Sequence, residues 1–205
     1  MKKSEEQRTA EHYRRLLAEH GRSYKALNWG SREGQRLRFQ ILTSIGDLNG
    51  KTVLDVGCGL GDFAGWLRES GTRAAYTGLD LTSELVRAAK ALHPEVTFLQ
   101  GDILDRATLA SRRFDFVFAS GIFATYKEGG ARWMESCLRR MWDLAGEGLA
   151  FNALSSWSEH RDPAEYHADP SATLAFVSGL SPWVVLRHDY HPRDFTVYVL
   201  RRKLA

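Results

Sequence analysis

The run Val53-Leu-Asp-Val-Gly-Cys-Gly-Leu-Gly-Asp-Phe63 holds the densest chemical information in the chain. An apolar stretch with one acid, Asp55, passes directly into Gly57, Gly59 and Gly61 and then into a helical pattern. Glycines there let the backbone turn tightly and lie close against a ligand, beneath a helix N-terminus whose free N–H groups favour polar or anionic ligand atoms. A nucleotide-like ligand is implied. The spacing is not the dinucleotide fingerprint, which would put its third glycine at position 62, where Asp62 stands. Asp55 also disfavours a pyrophosphate, since a carboxylate beside the loop would repel its charge. Cys58, between two of the glycines, reads as a small space-filler of this ligand loop rather than a nucleophile.

The elements that must hold this loop are legible around it. From residue 52 short apolar runs alternate with helical stretches, the pattern of βαβ units. Strands are expected at Thr52–Val56, Ala75–Leu79, Val96–Leu99, Phe114–Ala119 and Gly148–Phe151, with helices at about 62–70, 82–92, 105–111 and 131–145 between them. A helix from Ser171 to Gly179 follows, and two strands, Trp183–Arg187 and Phe195–Leu200, close the chain. Their short connection makes them a hairpin, so the last strand runs antiparallel. The fold class is therefore α/β: a three-layer α/β/α sandwich around a seven-stranded, mostly parallel, doubly wound sheet. Ahead of it, amphipathic helices over Ser4–His20 and Glu33–Ile45 predict a helical N-terminal cap, residues 1–49, on a core of residues 50–205.

In order along the chain, these features resemble the class I S-adenosylmethionine-dependent methyltransferases, whose first motif is apolar, apolar, acidic, apolar, Gly-x-Gly-x-Gly. The resemblance runs over about residues 50–205 and implies the Rossmann-like methyltransferase fold with S-adenosylmethionine as cofactor. It implies further that Asp80, after Tyr76-Thr-Gly-Leu79, accepts hydrogen bonds from the ribose hydroxyls, with Leu81 beside it. Asp102, in Gln100-Gly-Asp-Ile103, would meet the adenine amino group while Ile103 packs on the ring. Ser120 would lie beside the methionine portion, and Tyr24 and Trp29 of the cap would close over the cofactor, as N-terminal helices do in the small-molecule enzymes of this family.

In doubly wound sheets the ligand sits at the carboxyl ends of the parallel strands, so acceptor contacts are expected from the loops after strands four to six. His160, His167, His188 and His191, four of the seven histidines, fall there with Tyr126, Asn152, Trp157 and Tyr190. His191 and His188 are the candidate general bases. Tyr126, Asn152, Trp157 and Tyr190 are the candidate substrate contacts.

Composition narrows the remaining choices. The 205 residues are 43% hydrophobic and 26% charged, with 28 Lys plus Arg against 25 Asp plus Glu, scattered rather than segregated. A net charge of +3 without a dense basic run does not predict nucleic-acid binding. The segment after strand four is Ala119-Ser-Gly-Ile-Phe123, not Asn/Asp-Pro-Pro-Tyr, which argues against methylation of exocyclic amines on nucleic acid bases. Two cysteines give no disulfide framework or metal-ligand spacing, and no apolar run suggests a signal or membrane span, so a cytoplasmic protein without a metal is expected. The expected activity is methyl transfer to oxygen, nitrogen or sulfur of a small-molecule acceptor. The alternatives are a protein or RNA methyltransferase, an NAD-dependent oxidoreductase and a non-catalytic binding module.

Overall fold

The computed structural model describes residues 4–110, 112–125 and 129–203. Its centre is a sheet of seven strands: β1 (Thr52–Val56), β2 (Ala75–Asp80), β3 (Thr97–Gln100), β4 (Phe114–Ala119), β5 (Ala145–Leu154), β6 (Trp183–Arg187) and β7 (Asp194–Leu200). They lie in the order β3-β2-β1-β4-β5-β7-β6. All neighbouring pairs from β3 to β5 are parallel, and β7 runs antiparallel to both β5 and β6. The chain reverses its strand order after β3, returning past β1 to β4, so β1 and β4 border the switch point where doubly wound sheets bind ligands.

Side-chain alternation along the strands sorts the core into two layers. On one face Phe116 and Phe118 of β4 and Val53 of β1 pack with Phe39 and Leu42 of α2 (Arg32–Thr43) and Phe63 of α3 (Asp62–Glu69). On the other, Leu54, Val56 and Val117 pack with Met134, Leu138 and Met141 of α6 (Gly130–Leu144). The remaining helices are α1 (Glu5–His20), α4 (Ser83–Leu92), the one-turn α5 (Arg106–Leu109) and α7 (Pro170–Ser178). Ser4 and Gln7 form a reciprocal capping box on α1, and Asp169 caps α7 ahead of Pro170.

Two differences from the sequence reading bear on the site. β5 extends from Ala145 to Leu154 because β7 pairs along it from Gly148–Leu200 to Leu154–Asp194; polar Asn152, opposite Thr196, is a strand residue there and not the strand's end. The segment 1–49 also divides in two. α2 is part of the sandwich, with Leu42 fully buried against the sheet. Helix α1 has no buried residue and lies over α4, packing through Tyr13 and Leu17 on Leu60, Leu85 and Ala88. Only α1 and the 3-10 turn Tyr24–Leu27 that follows it have the placement of a lid.

Candidate active site

The glycine loop is built by its attachment to β2. The N–H groups of Gly57 and Cys58 both donate to the Leu79 carbonyl, at 2.7 and 3.0 Å, so the loop folds back over the end of the neighbouring strand. Gly57 and Gly59 have φ of +73° and +56°, in the left-handed region that side chains disfavour. A Cβ on Gly57 would come within 2.2 Å of Ile122 Cγ2, and one on Gly59 within 2.7 Å of Leu27 Cδ2. Both positions therefore need glycine for conformation and for space.

Asp80 ends β2 with its carboxylate already oriented. Its Oδ2 accepts from Gly59 N at 2.9 Å and its Oδ1 from Thr82 N at 2.8 Å. Burial pushes its pKa up, and those two N–H groups oppose the shift by bonding the charged form. Asp102 follows β3 on the same side of the sheet; its Oδ1 accepts from Leu104 N at 2.8 Å, and the next residue, Ile103, is buried. After β4, Ser120 and Gly121 are braced from behind by Asn152, whose Oδ1 accepts from Gly121 N at 2.8 Å and whose Nδ2 donates to Ser120 Oγ at 3.1 Å.

These strand ends enclose a cleft of about 120 Å³. Gly57, Gly59, Asp80, Leu81, Asp102 and Ile103 line it, with Ser120, Gly121, Ile122, Thr125 and Trp133. The roof comes from the N-terminal segment: Leu27, Trp29, and Glu6, Thr9 and Tyr13 of α1. Trp29 lies against the backbone, since a Cβ on Gly121 would sit 2.8 Å from its Cζ2. Burial raises the Tyr13 phenol to about 12, so it is a neutral hydroxyl at ordinary pH. The charged side chains lining this cleft, among the described residues, are Glu6, Asp80 and Asp102. Glycine backbone, a carboxylate set to accept from a diol, and acidic walls together suit a nucleoside with a positively charged tail and would reject a pyrophosphate.

Seven of the expected cofactor residues therefore meet in one place with Trp29: Gly57, Gly59, Asp80, Leu81, Asp102, Ile103 and Ser120. Four others stand behind the lining. Asp55 is 3% exposed beneath the loop, where the Tyr76 hydroxyl donates to its Oδ2. Burial raises Asp55 to about 7, with Tyr76 opposing and Asp80 and Asp62 adding to the rise. Cys58 packs on Val86, Ala89 and Phe98, and burial pushes its thiol well above the usual value, as expected of a filler and not a nucleophile. Gly61 is the N-cap of α3, backed by Phe98. Tyr24 opens the 3-10 turn, and its carbonyl accepts from Trp29 N at 3.2 Å.

The expected acceptor residues are mostly elsewhere. His188 lies between Trp157 and Phe195, at ring separations of 5.6 and 6.4 Å, and neither His188 nor Trp157 lines the cleft. His191 is also outside the lining; its Nδ1 accepts from Arg193 N at 3.2 Å, and burial with Arg38, Arg193 and His188 lowers its pKa, leaving a neutral ring. Tyr190 bonds Thr196 Oγ1 at 2.9 Å within the β6–β7 hairpin. Asn152 is corrected from substrate contact to support, because at 3% exposure its amide is committed to Ser120 and Gly121. Tyr126 lies outside the described residues. The residues that sequence reasoning missed include Glu6, Thr9, Tyr13, Leu27, Ile122 and Trp133. The 6, 9, 13 spacing marks one face of a helix and was readable, but nothing local says that this face covers a cleft.

Comparison with known proteins agrees with this geometry. Residues 53–143 match the family described as a methyltransferase domain. A Mycobacterium tuberculosis protein provisionally named a methyltransferase is 34% identical over 155 residues, covering 72% of this chain and 92% of its own length. The trans-aconitate 2-methyltransferase of an Azoarcus species is 34% identical over 152 residues, 73% of this chain, which spans 58% of that enzyme's length. Among solved structures, magnesium protoporphyrin IX methyltransferase from Synechocystis with bound S-adenosylmethionine superposes with a TM-score of 0.73 at 13% identity, covering 98% of this chain and 99% of that one.

Proposed function

The chain belongs to the class I S-adenosylmethionine-dependent methyltransferases, and from that premise we propose that it moves the cofactor's methyl group to an oxygen, nitrogen or sulfur of a small-molecule acceptor. The observation that carries the assignment of residues is Asp80. Two backbone N–H groups fix its carboxylate at the end of β2, facing the cleft. In this reading Asp80 takes the ribose hydroxyls, Asp102 the adenine amino group, and Leu81 and Ile103 the faces of the adenine. The Gly57–Gly59 backbone and Ser120 hold the methionine portion, and Trp29 closes over it. Asp55, Cys58, Gly61 and Tyr24 act from behind, by fixing the loop and the 3-10 turn.

The cofactor supplies an electrophilic methyl on a sulfonium whose departure leaves a neutral thioether. The protein's part is to hold an acceptor atom in line with that methyl and to exclude water, and oriented approach alone can supply about 7–11 kcal/mol. The roof of Leu27, Trp29 and Tyr13 suits this task. A base is required only for an acceptor protonated at neutral pH. Neither His188 nor His191 lines the cleft. The name of the Azoarcus relative supports a small-molecule acceptor rather than a protein or nucleic acid. No described helix is long and apolar enough to cross a membrane, and the two buried free thiols suit a reducing compartment, which supports the cytoplasm.

The test is calorimetric titration with S-adenosylmethionine and with its demethylated product. Both should bind, and Asp80→Ala should weaken binding by at least tenfold, since a hydrogen bond to a charged group is worth about 1.5–3 kcal/mol. Absence of binding, or unchanged affinity in the variant, would refute the reading.

A further inference from the structure

Trp29 lines the cleft from a short connector, residues 28–31, between the 3-10 turn Tyr24–Leu27 and α2. It stands on no helix or strand of its own, so the placement of its ring depends on what the ring touches. One contact is the cleft wall, where a Cβ on Gly121 would come within 2.8 Å of Cζ2 and 3.2 Å of Cη2. Another is Arg38, whose Cζ lies over the ring at 5.5 Å from its centroid. Arg38 is itself held at two nitrogens: Nη1 donates to the Gly34 carbonyl, one turn back along α2, at 2.8 Å, and Nη2 pairs with the Asp194 carboxylate. Asp194 opens β7 in register with Leu154 of β5, which anchors that carboxylate in the sheet. Arg38 is 8% exposed and Asp194 5%. A cation–π contact gains strength where the cation is desolvated, and a planar guanidinium tied at two nitrogens presents its face to a ring in one orientation.

We propose that Arg38 is a positioning residue of the cleft: tied to Asp194 and to the Gly34 carbonyl, its guanidinium keeps the Trp29 indole against Gly121 and so makes cofactor binding depend on the β6–β7 hairpin. This rests on the methyltransferase reading given above and deepens it, since no residue of the hairpin lines the cleft itself. The competing account is that Arg38 serves only to neutralise Asp194. Removing both charges would then restore the site together with the fold.

The experiment is calorimetric titration of the full-length protein with the demethylated cofactor, alongside denaturant unfolding. Arg38→Met combined with Asp194→Asn should unfold close to the wild-type midpoint yet bind at least threefold more weakly, which is about 0.7 kcal/mol at 1.4 kcal/mol per tenfold and within the range of one cation–π contact. Arg38→Gln combined with Asp194→Asn, an amide pair able to hydrogen-bond, should do the same and serves if the first combination folds poorly. Trp29→Leu should weaken binding at least as much, and adding it to either combination should cost nothing beyond Trp29→Leu alone, because both changes act through one ring. In the cofactor-free protein the nuclear Overhauser contact between the Trp29 ring and the Gly121 α-protons should be present in the wild type and lost in both combinations. Affinity within twofold of the wild type in the combinations, an Overhauser contact that survives in them, or effects of Arg38 and Trp29 that multiply would each overturn the proposal. If the wild type fails to bind the cofactor while the Overhauser contact still depends on Arg38, it is the methyltransferase reading that fails and the hold on Trp29 that stands.

Discussion

Replacing Asp55 by asparagine should change how stability depends on pH, and the size of the change follows from where Asp55 sits. Its carboxyl is 3% exposed, and burial raises it from an ordinary 3.8 to about 7. Between these values the folded protein keeps a proton that the unfolded chain has released. The folded state then binds more protons, so stability falls as pH rises through this window, by about 1.4 kcal/mol per pH unit, and levels off above it. From pH 5 to 7 that is roughly 3 kcal/mol, or about 5–10 °C in Tm for a chain of this size. The wild-type curve alone is composite. The raised Asp80 adds a term of the same sign, and the lowered His12, His93 and His191 add terms of opposite sign. The amide introduced by Asp55→Asn would not titrate, and its carbonyl can still accept from the Tyr76 hydroxyl, so the difference between the two proteins isolates one group. Thermal unfolding followed by circular dichroism at half-unit steps from pH 5 to 8 should show the Asp55→Asn variant gaining on the wild type by about 5–10 °C across this range. A difference that stays constant with pH would show that Asp55 ionises normally and that the burial argument is wrong.

Two further pairs of substitutions probe the loop and the α2–hairpin contact. Gly57→Ala forces a side chain into φ of +73° and against Ile122, and should cost more than the roughly 1–2 kcal/mol of the left-handed conformation alone. Gly50→Ala, at φ of +71° with nothing within 4 Å of the added carbon, measures that conformational cost by itself, so a Tm no lower in Gly57→Ala than in Gly50→Ala would deny the close approach. Arg38→Met leaves Asp194, 5% exposed, without its cation and should cost about 3–5 kcal/mol in denaturant unfolding. Adding Asp194→Asn should recover most of that loss, and a double variant as unstable as Arg38→Met would assign the loss to packing.

The glycine loop and the two acids of the cleft lining were legible because their determinants are local. A β-branched and apolar strand, three alternate glycines and a helix are contiguous from Val53 to Phe63, and Asp80 and Asp102 each end a strand whose apolar run is readable by itself. The rest of the cleft lining is assembled from segments far apart in sequence. Tyr13 comes from α1, Ile122 from the turn after β4 and Trp133 from α6, and no periodicity within α1 tells which neighbour its face will meet. Asn152 was misread for a related reason. Its polarity at the end of an apolar run suggested a loop, but the antiparallel pairing of β7 carries the strand past it and turns its amide toward Ser120 and Gly121.

The histidines of the hairpin show how a residue can be near the chemistry in topology and still outside it. The loop after β6 does lie at the ligand-binding edge of the sheet, as the doubly wound rule requires, yet β7 is antiparallel and its start, Asp194, is drawn to Arg38 of α2. That ion pair ties the hairpin to α2, and Arg38 in turn lies over Trp29, which also packs on the Gly121 backbone in the cleft wall. The order of contact is therefore hairpin, Asp194, Arg38, Trp29, cleft. His191, with Nδ1 3.3 Å from Asp194 Oδ2, stands at the outer end of this series, outside the cleft lining.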